Sequence, residues 1–288
     1  MAAADDGEAV LAEAVAALRA ALGPRLVAAY ALGSLAHGGF SPLVSDVDLG
    51  LVLADPPATD DPDRIRAAAD AVKAAGSPLQ QRLSVYWGTV AMLRGEIAGG
   101  RFPPLDRLDL LENGRLLSGE DVRTGLAVPA ADDLLVAGAE FALDFLGPGH
   151  EAGRPDAGLG SLGAFGEQVM EKIRNPERLV AEGPRYLTKI VLFPVRFLYT
   201  AATGRVGTND AAVAHHLAAD AAPAHDLVAA AHRWRTDPPE DQEALDLLGR
   251  ELVPLYRYYL DDHIARLTEL KELDLAAAFV RWRERLGA

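Results

Sequence analysis

Asp46 and Asp48 stand one residue apart at the head of an apolar run, DVDLGLVL, and this pairing limits what the surrounding chain can become. Residues 30–53 read YALGSLAHGGFSPLVSDVDLGLVL. An apolar run ends in Gly33-Ser34, a glycine- and proline-bearing loop follows, and the chain re-enters an apolar segment through the aspartates. In a β-strand, residues i and i+2 face the same way. A strand over 46–53 therefore sets the two carboxylates side by side and turns Val47 and Leu49 toward the core. Carboxylates so placed repel one another unless a cation lies between them. Mg2+ suits the pair, because it takes one or two carboxylates and completes its shell with water and substrate phosphates. Gly33-Ser34, on the other arm of this hairpin-like unit, offers backbone N–H groups that approach a phosphate closely and a hydroxyl donor. A plain hairpin with two solvated aspartates is the alternative that the residues alone leave open.

An apolar residue, Gly33, Ser34, eleven intervening residues and then Asp-apolar-Asp-apolar resembles the nucleotidyltransferase signature of the DNA polymerase β superfamily. The resemblance implies an α+β protein. Its N-terminal nucleotidyltransferase-fold domain, residues 1–129, would hold a short mixed sheet. Its C-terminal all-α helical bundle, residues 130–288, would bind substrate, with the active site in the cleft between the two. Asp46 and Asp48 would be the catalytic carboxylates and the Mg2+ ligands, with ATP or another nucleoside triphosphate as co-substrate. Residues 197–212, FLYTAATGRVGTNDAA, are similar to the helical domain of adenylyltransferases that modify streptomycin and spectinomycin. In that group a helix bearing an arginine runs into a Thr-Gly turn, and a lysine precedes an Asp-x-Ala segment. Arg196 matches the arginine and Thr203-Gly204 the turn; Asn209 stands where the lysine would be.

The remaining elements follow from periodicity and breakers. Helical spacing of Val10, Leu11, Val15, Leu18 and Leu22 predicts a helix over 5–22. Residues 25–32 form the first strand, 46–53 the second, 62–75 a helix, and 83–87 (LSVYW) a third strand. In the resembled family the third strand commonly carries a third acidic residue, and here it has none. Glu96, Asp106 and Asp109 are the available substitutes, of which Asp106 and Asp109 read as a solvated surface segment. Residues 108–111 read as a short strand and Asn113-Gly114 as a tight turn. Beyond Pro129 the pattern is helical: Asp132-Asp133 capping a helix to 146, a glycine-rich loop over 147–163, and a helix over 165–174. Further helices are expected over 186–203 with a kink at Pro194, 210–219, 224–235, 239–263 with a bend at Pro254, and 264–286.

Composition narrows the function. Half of the 288 residues are apolar, there is no cysteine, and the formal net charge is −14. A chain this acidic has no general attraction for DNA or RNA, whose binding rests on neutralised phosphates. It suits a small-molecule acceptor, cationic ones included. No apolar stretch reaches the roughly 18 residues of a membrane span, and the acidic N-terminus lacks the basic start of a signal peptide. A cytoplasmic protein, as monomer or homodimer, with no nucleic-acid or membrane partner, is the expectation.

Several further residues have two readings. Arg196 in its apolar helix either reaches a triphosphate or pairs with a helix carboxylate. Lys189, two turns earlier on nearly the same face, either adds a phosphate contact or snorkels to water. His37 either touches nucleotide or stabilises its loop. Tyr86 and Trp87 either stack on a base or belong to the core. His215 and His216 are adjacent and lack the spacing of a zinc pair. The resemblance thus implies a Mg2+-dependent nucleotidyltransferase moving AMP from ATP onto an aminoglycoside or another sugar or secondary metabolite. The rival is a catalytically impaired protein of the same fold that binds nucleotide as a regulator or interaction partner.

Overall fold

A computed structural model describes residues 2–146 and 169–287. Their contacts gather into two compact units, 1–129 and 130–288. The first holds a four-stranded mixed sheet in the order β3-β2-β1-β4, with β1 Leu26–Leu32, β2 Val47–Leu53, β3 Leu83–Thr89 and β4 Arg115–Gly119. β1 runs antiparallel to both β2 and β4, whereas β2 and β3 are parallel. A parallel pair needs a crossover connection, and α3 (Asp61–Ala74) supplies it.

The two-residue period sorts the sheet into faces. Val47, Leu49, Leu51 and Leu53 of β2 point to one side, with Ala29 and Ala31 of β1 and Leu83 and Val85 of β3. There they meet Val10, Leu11, Ala14 and Leu18 of α1 (Ala2–Leu22) and Ile65, Ala68, Ala69 and Val72 of α3. Tyr30, Leu32 and Val52 point to the other side, against Leu93, Leu110 and Phe102. Each fully buried leucine in such a layer contributes about 1.5–3 kcal/mol. The loop leading into α3 is fastened by Asp61, whose side chain is fully buried. Arg25 donates to both its carboxylate oxygens at 2.7 Å, and the Ala58 N–H adds a bond of 2.8 Å. The same guanidinium donates to the carbonyls of Ala54 and Pro56.

Two further elements close the first unit beside α2 (Gly33–His37): α4 (Val90–Leu93) and α5 (Pro104–Glu112). Residues 108–111 are therefore helical, not a strand. A four-residue apolar run does not distinguish the two, and the signal that decides is Pro104 at the first helical position, where its missing N–H costs nothing.

The second unit is helical in its described residues. It contains α6 (Ala131–Phe145), helical residues 169–174, α7 (Pro176–Ala181), α8 (Pro184–Thr203) and α9 (Asn209–Leu217). α10 (His225–Arg233), α11 (Asp241–Glu269) and α12 (Leu273–Gly287) complete it. The expected loop at 147–163 and the first residues of the helix expected at 165–174 lie outside the described residues. Asp132 and Asp133 sit in the first turn of α6 and do not cap it; Ala130 holds the cap position. Trp234, Trp282, Tyr256, Tyr259 and Phe279 are fully buried at the centre.

Two features of this bundle depart from simple helix rules. α11 continues through His263, where a boundary was expected, and ends at Glu269 with Leu270 at the cap position. Lys271 there adopts φ 66° and the Glu272 N–H bonds back to the Leu267 carbonyl at 2.9 Å. This is the usual left-handed helix stop, built on lysine where glycine normally marks it. In α8, Pro194 has no N–H to give the carbonyl four residues back, that of Ile190. The buried Tyr256 hydroxyl of α11 donates to that carbonyl at 2.9 Å. One bond thus satisfies an orphaned acceptor and a buried hydroxyl together.

Candidate active site

β1 delivers Gly33 and β2 delivers Asp48 to the same end of the sheet, since Leu32 and Asp48 are paired across the antiparallel ladder. Asp48 shares its face with Gly50 and Val52, the side away from α1 and α3, while its neighbours Val47 and Leu49 are fully buried on the opposite side. Asp46 lies one residue before β2, and both aspartates are half-buried. Gly33 adopts φ +60°, a left-handed conformation that suits a residue without Cβ. A Cβ there would meet Asp48 Oδ2 at 2.4 Å, closer than any real contact. The carboxylate of Asp48 therefore lies against the bare α-carbon of Gly33.

The reason for Gly33 differs from the one its sequence suggested. Its N–H does not face open space: it donates to Asp109 Oδ2 at 2.6 Å. Asp109, read from sequence as solvated surface, is only 8% exposed. Its other oxygen accepts the Asn113 side-chain amide at 2.9 Å, and its carbonyl accepts the Asn113 N–H at 2.8 Å. The Asp109-Asn113 spacing on one helix face was the available signal.

The loop between the two arms is also built, not slack. Ser41 is buried, its N–H donates to Ser45 Oγ at 3.0 Å, and its carbonyl accepts the Ser45 N–H at 2.8 Å. Arg82, just ahead of β3, donates to the carbonyls of Pro42 and Leu43. Ser34 and His37 fall within α2, so His37 ends a short helix instead of lying in a loop.

β3 contains no carboxylate. Its register with β2 sets Ser84 beside Asp48 and Tyr86 beside Gly50. A Cβ on Gly50 would crowd Leu32 and Phe102, each at 3.1 Å, so this position admits the Phe102 ring. Tyr86 lies on Phe102, centroids 6.0 Å apart, with the Arg101 guanidinium 5.5 Å from its own ring centre. Burial pushes the Tyr86 hydroxyl well above the usual phenol range, and the negative charges of Asp106 and Asp48 push it further. It is a neutral donor at any ordinary pH. Trp87 packs on the α1–α3 side and belongs to the core. Glu96 is exposed, 4.0 Å from Arg94.

No protein-family model matches the sequence. No curated protein matches it. Among solved structures, the chain is similar to the crystal structure of spectinomycin adenyltransferase AAD(9) from Enterococcus faecialis with ATP and spectinomycin. The TM-score is 0.51 at 14% identity, over 84% of this chain and 99% of that one. The chain has a nucleotidyltransferase fold.

This nucleotidyltransferase fold brings Gly33, Asp48, Asp109 and Tyr86 to one region of the first unit. Lys189 and Arg196 belong to the second unit, both half-buried on α8. Arg196 Nε donates to the Gly207 carbonyl, and its guanidinium lies 5.7 Å from the Phe193 ring centre. Arg235, buried nearby, has its pKa lowered chiefly by burial and also by the charge of Arg196. His215 packs edge-on against Tyr199, while His216 bonds through Nε2 to the Pro223 carbonyl at 2.8 Å, so neither is placed as a metal ligand. Among the described residues, no group of three or more His, Asp or Glu side chains is arranged to hold a metal. Asp46 and Asp48 are two carboxylates on either side of Val47, the first residue of β2. Their chemistry fits Mg2+, whose remaining positions water and phosphate oxygens fill. No helix among the described residues is long and apolar enough to cross a membrane.

Proposed function

We propose that this protein is a Mg2+-dependent nucleotidyltransferase that moves a nucleoside monophosphate, AMP from ATP, onto a hydroxyl of a small acceptor. An aminoglycoside, another sugar or a secondary metabolite fits this class. The observation that carries the reading is the Asp48 carboxylate seated against Gly33 within a nucleotidyltransferase fold. In the transfer, an acceptor hydroxyl gives up its proton to solvent, its oxygen forms a bond to the α-phosphorus, the α–β bridging P–O bond breaks, and pyrophosphate leaves. Asp46 and Asp48 would hold Mg2+, which when bound neutralises charge on the phosphates. The Ser34 hydroxyl is assigned as a phosphate donor. Gly33 contributes its missing side chain, which leaves room for Asp48. Lys189 and Arg196 are assigned as cations for the polyphosphate. Such a reaction rests mainly on positioning and charge stabilisation, which these groups can supply.

The test is transfer of label from α-32P-ATP with Mg2+ across a panel of hydroxylated and amino-sugar acceptors. Asp46→Asn and Asp48→Asn are each expected to lower turnover by about a thousandfold, as several kcal/mol of charge stabilisation are lost, with unchanged circular dichroism. Full activity in both variants rejects the assignment. A second reading has one observation in its favour: β3 sets Ser84, not an acid, beside Asp48. On that reading the protein binds nucleotide as a regulator, and calorimetry finds ATP binding with no pyrophosphate release for any acceptor.

A further inference from the structure

Asp109 is a carboxylate in a buried position. Its two oxygens are spent on two donors: the Gly33 N–H at 2.6 Å and the Asn113 amide at 2.9 Å. Gly33 is the residue against whose α-carbon Asp48 Oδ2 lies. Asp109 and Asp48 therefore grip the same residue, one through its N–H and one through the space its side chain leaves. A charged acceptor on an amide makes a shorter and stronger bond than a neutral one, and here it fixes a backbone angle that only glycine adopts readily. The C-terminal end of α5 is in turn tied down: Gly114, following Asn113, donates to the Asp109 carbonyl at 3.0 Å, and a side chain on it would strike the Leu110 carbonyl at 2.4 Å.

We infer that Asp109 is a positioning residue for the Asp46–Asp48 pair: its bond to the Gly33 amide sets the backbone surface that orients the Asp48 carboxylate. The inference rests on the proposed nucleotidyltransferase reading and deepens it. Asp109 contacts no phosphate; it occupies the Gly33 amide, so that amide is a structural donor and not a phosphate donor. Its effect reaches a bound cation through Asp48 alone.

The experiment measures Mn2+ affinity by electron paramagnetic resonance, with Mn2+ alone and with Mn2+ plus a non-hydrolysable ATP analogue, on the full chain. Wild type, Asp48→Asn, Asp109→Ala and Asp109→Asn are compared, each with a thermal melt. Asp109→Ala is expected to weaken Mn2+ binding by about ten- to hundredfold, the usual effect of losing a group that orients a metal ligand. Asp109→Asn keeps an oxygen for the Gly33 N–H and recovers most of the affinity. Wild-type affinity in Asp109→Ala, or no recovery in Asp109→Asn, overturns the inference and leaves the nucleotidyltransferase reading standing. Equal Mn2+ affinity in wild type and Asp48→Asn instead overturns that reading and the inference with it. Should Asp109→Ala fail to fold, Asp109→Leu, which fills a similar space but offers the Gly33 N–H no acceptor, decides in its place: a weaker affinity supports the positioning role and an unchanged one overturns it.

Discussion

Gly33 is the residue whose replacement should say most. Alanine there meets a left-handed backbone, which costs a residue with a Cβ about 1–2 kcal/mol, and also the Asp48 oxygen. Gly33→Ala is therefore expected to destabilise modestly in urea unfolding but to lose transferase activity almost completely, because Asp48 must rotate away. Equal losses in Gly33→Ala and in a remote control of matched stability would show that the contact is only structural. Tyr86→Phe probes the other side of the region. It removes a neutral hydroxyl that faces two acidic side chains. If that hydroxyl shields the carboxylates from one another, the variant raises KM for Mg2+·ATP while thermal stability holds.

At the scale of elements, the join between β1, β2 and α3 depends on Arg25 and Asp61. Asp61→Ala takes the acceptor from the partly exposed Arg25 guanidinium and from the Ala58 N–H, and is expected to lower the midpoint of a denaturant titration. The pH dependence follows from the direction of the shift. The Arg25 hydrogen bond is the largest influence holding the Asp61 carboxyl below its ordinary value, against the opposing effect of burial. Its stabilisation is therefore complete above the ordinary carboxylate range and is lost as pH falls through the lower folded value. An acid-unfolding curve for Asp61→Asn should be flatter than that of wild type in this window. In the helical unit, Tyr256→Phe leaves the Ile190 carbonyl without a donor and costs about 1–3 kcal/mol. In a Pro194→Ala background the helix regains its own N–H, so the same change should cost less. A double-mutant cycle measures the difference, and strict additivity would refute the coupling.

For the molecule as a whole, a net charge of −14 sets a simple expectation. At physiological salt, fluorescence anisotropy should detect no binding of labelled DNA or RNA oligonucleotides by the full chain. Much of the architecture was legible beforehand because periodicity and breakers carry it: β1, β2 and β3 sit where alternating or apolar runs place them, and α8 ends at Thr203 as expected, on a left-handed Gly204. The Gly33–Asp48 contact was half legible. The spacing brought the two arms together, but the reason for the glycine required knowing which oxygen lies against it. Asp109 was misread because Gly33, its distant partner, declares itself only once α5 is folded over the sheet, and the local spacing to Asn113 was passed over. The end of α11 was missed because Lys271 takes the conformation that glycine usually announces. Pro194 was visible as an interruption inside a helix; the hydroxyl that answers it, far along the chain, was not. That partnership fixes an order of inheritance. A descendant gene can drop the imino acid first at little cost, since an amide returns to the vacant carbonyl. It cannot drop the tyrosine hydroxyl first without passing through a weaker protein, so the history of one codon constrains the history of the other.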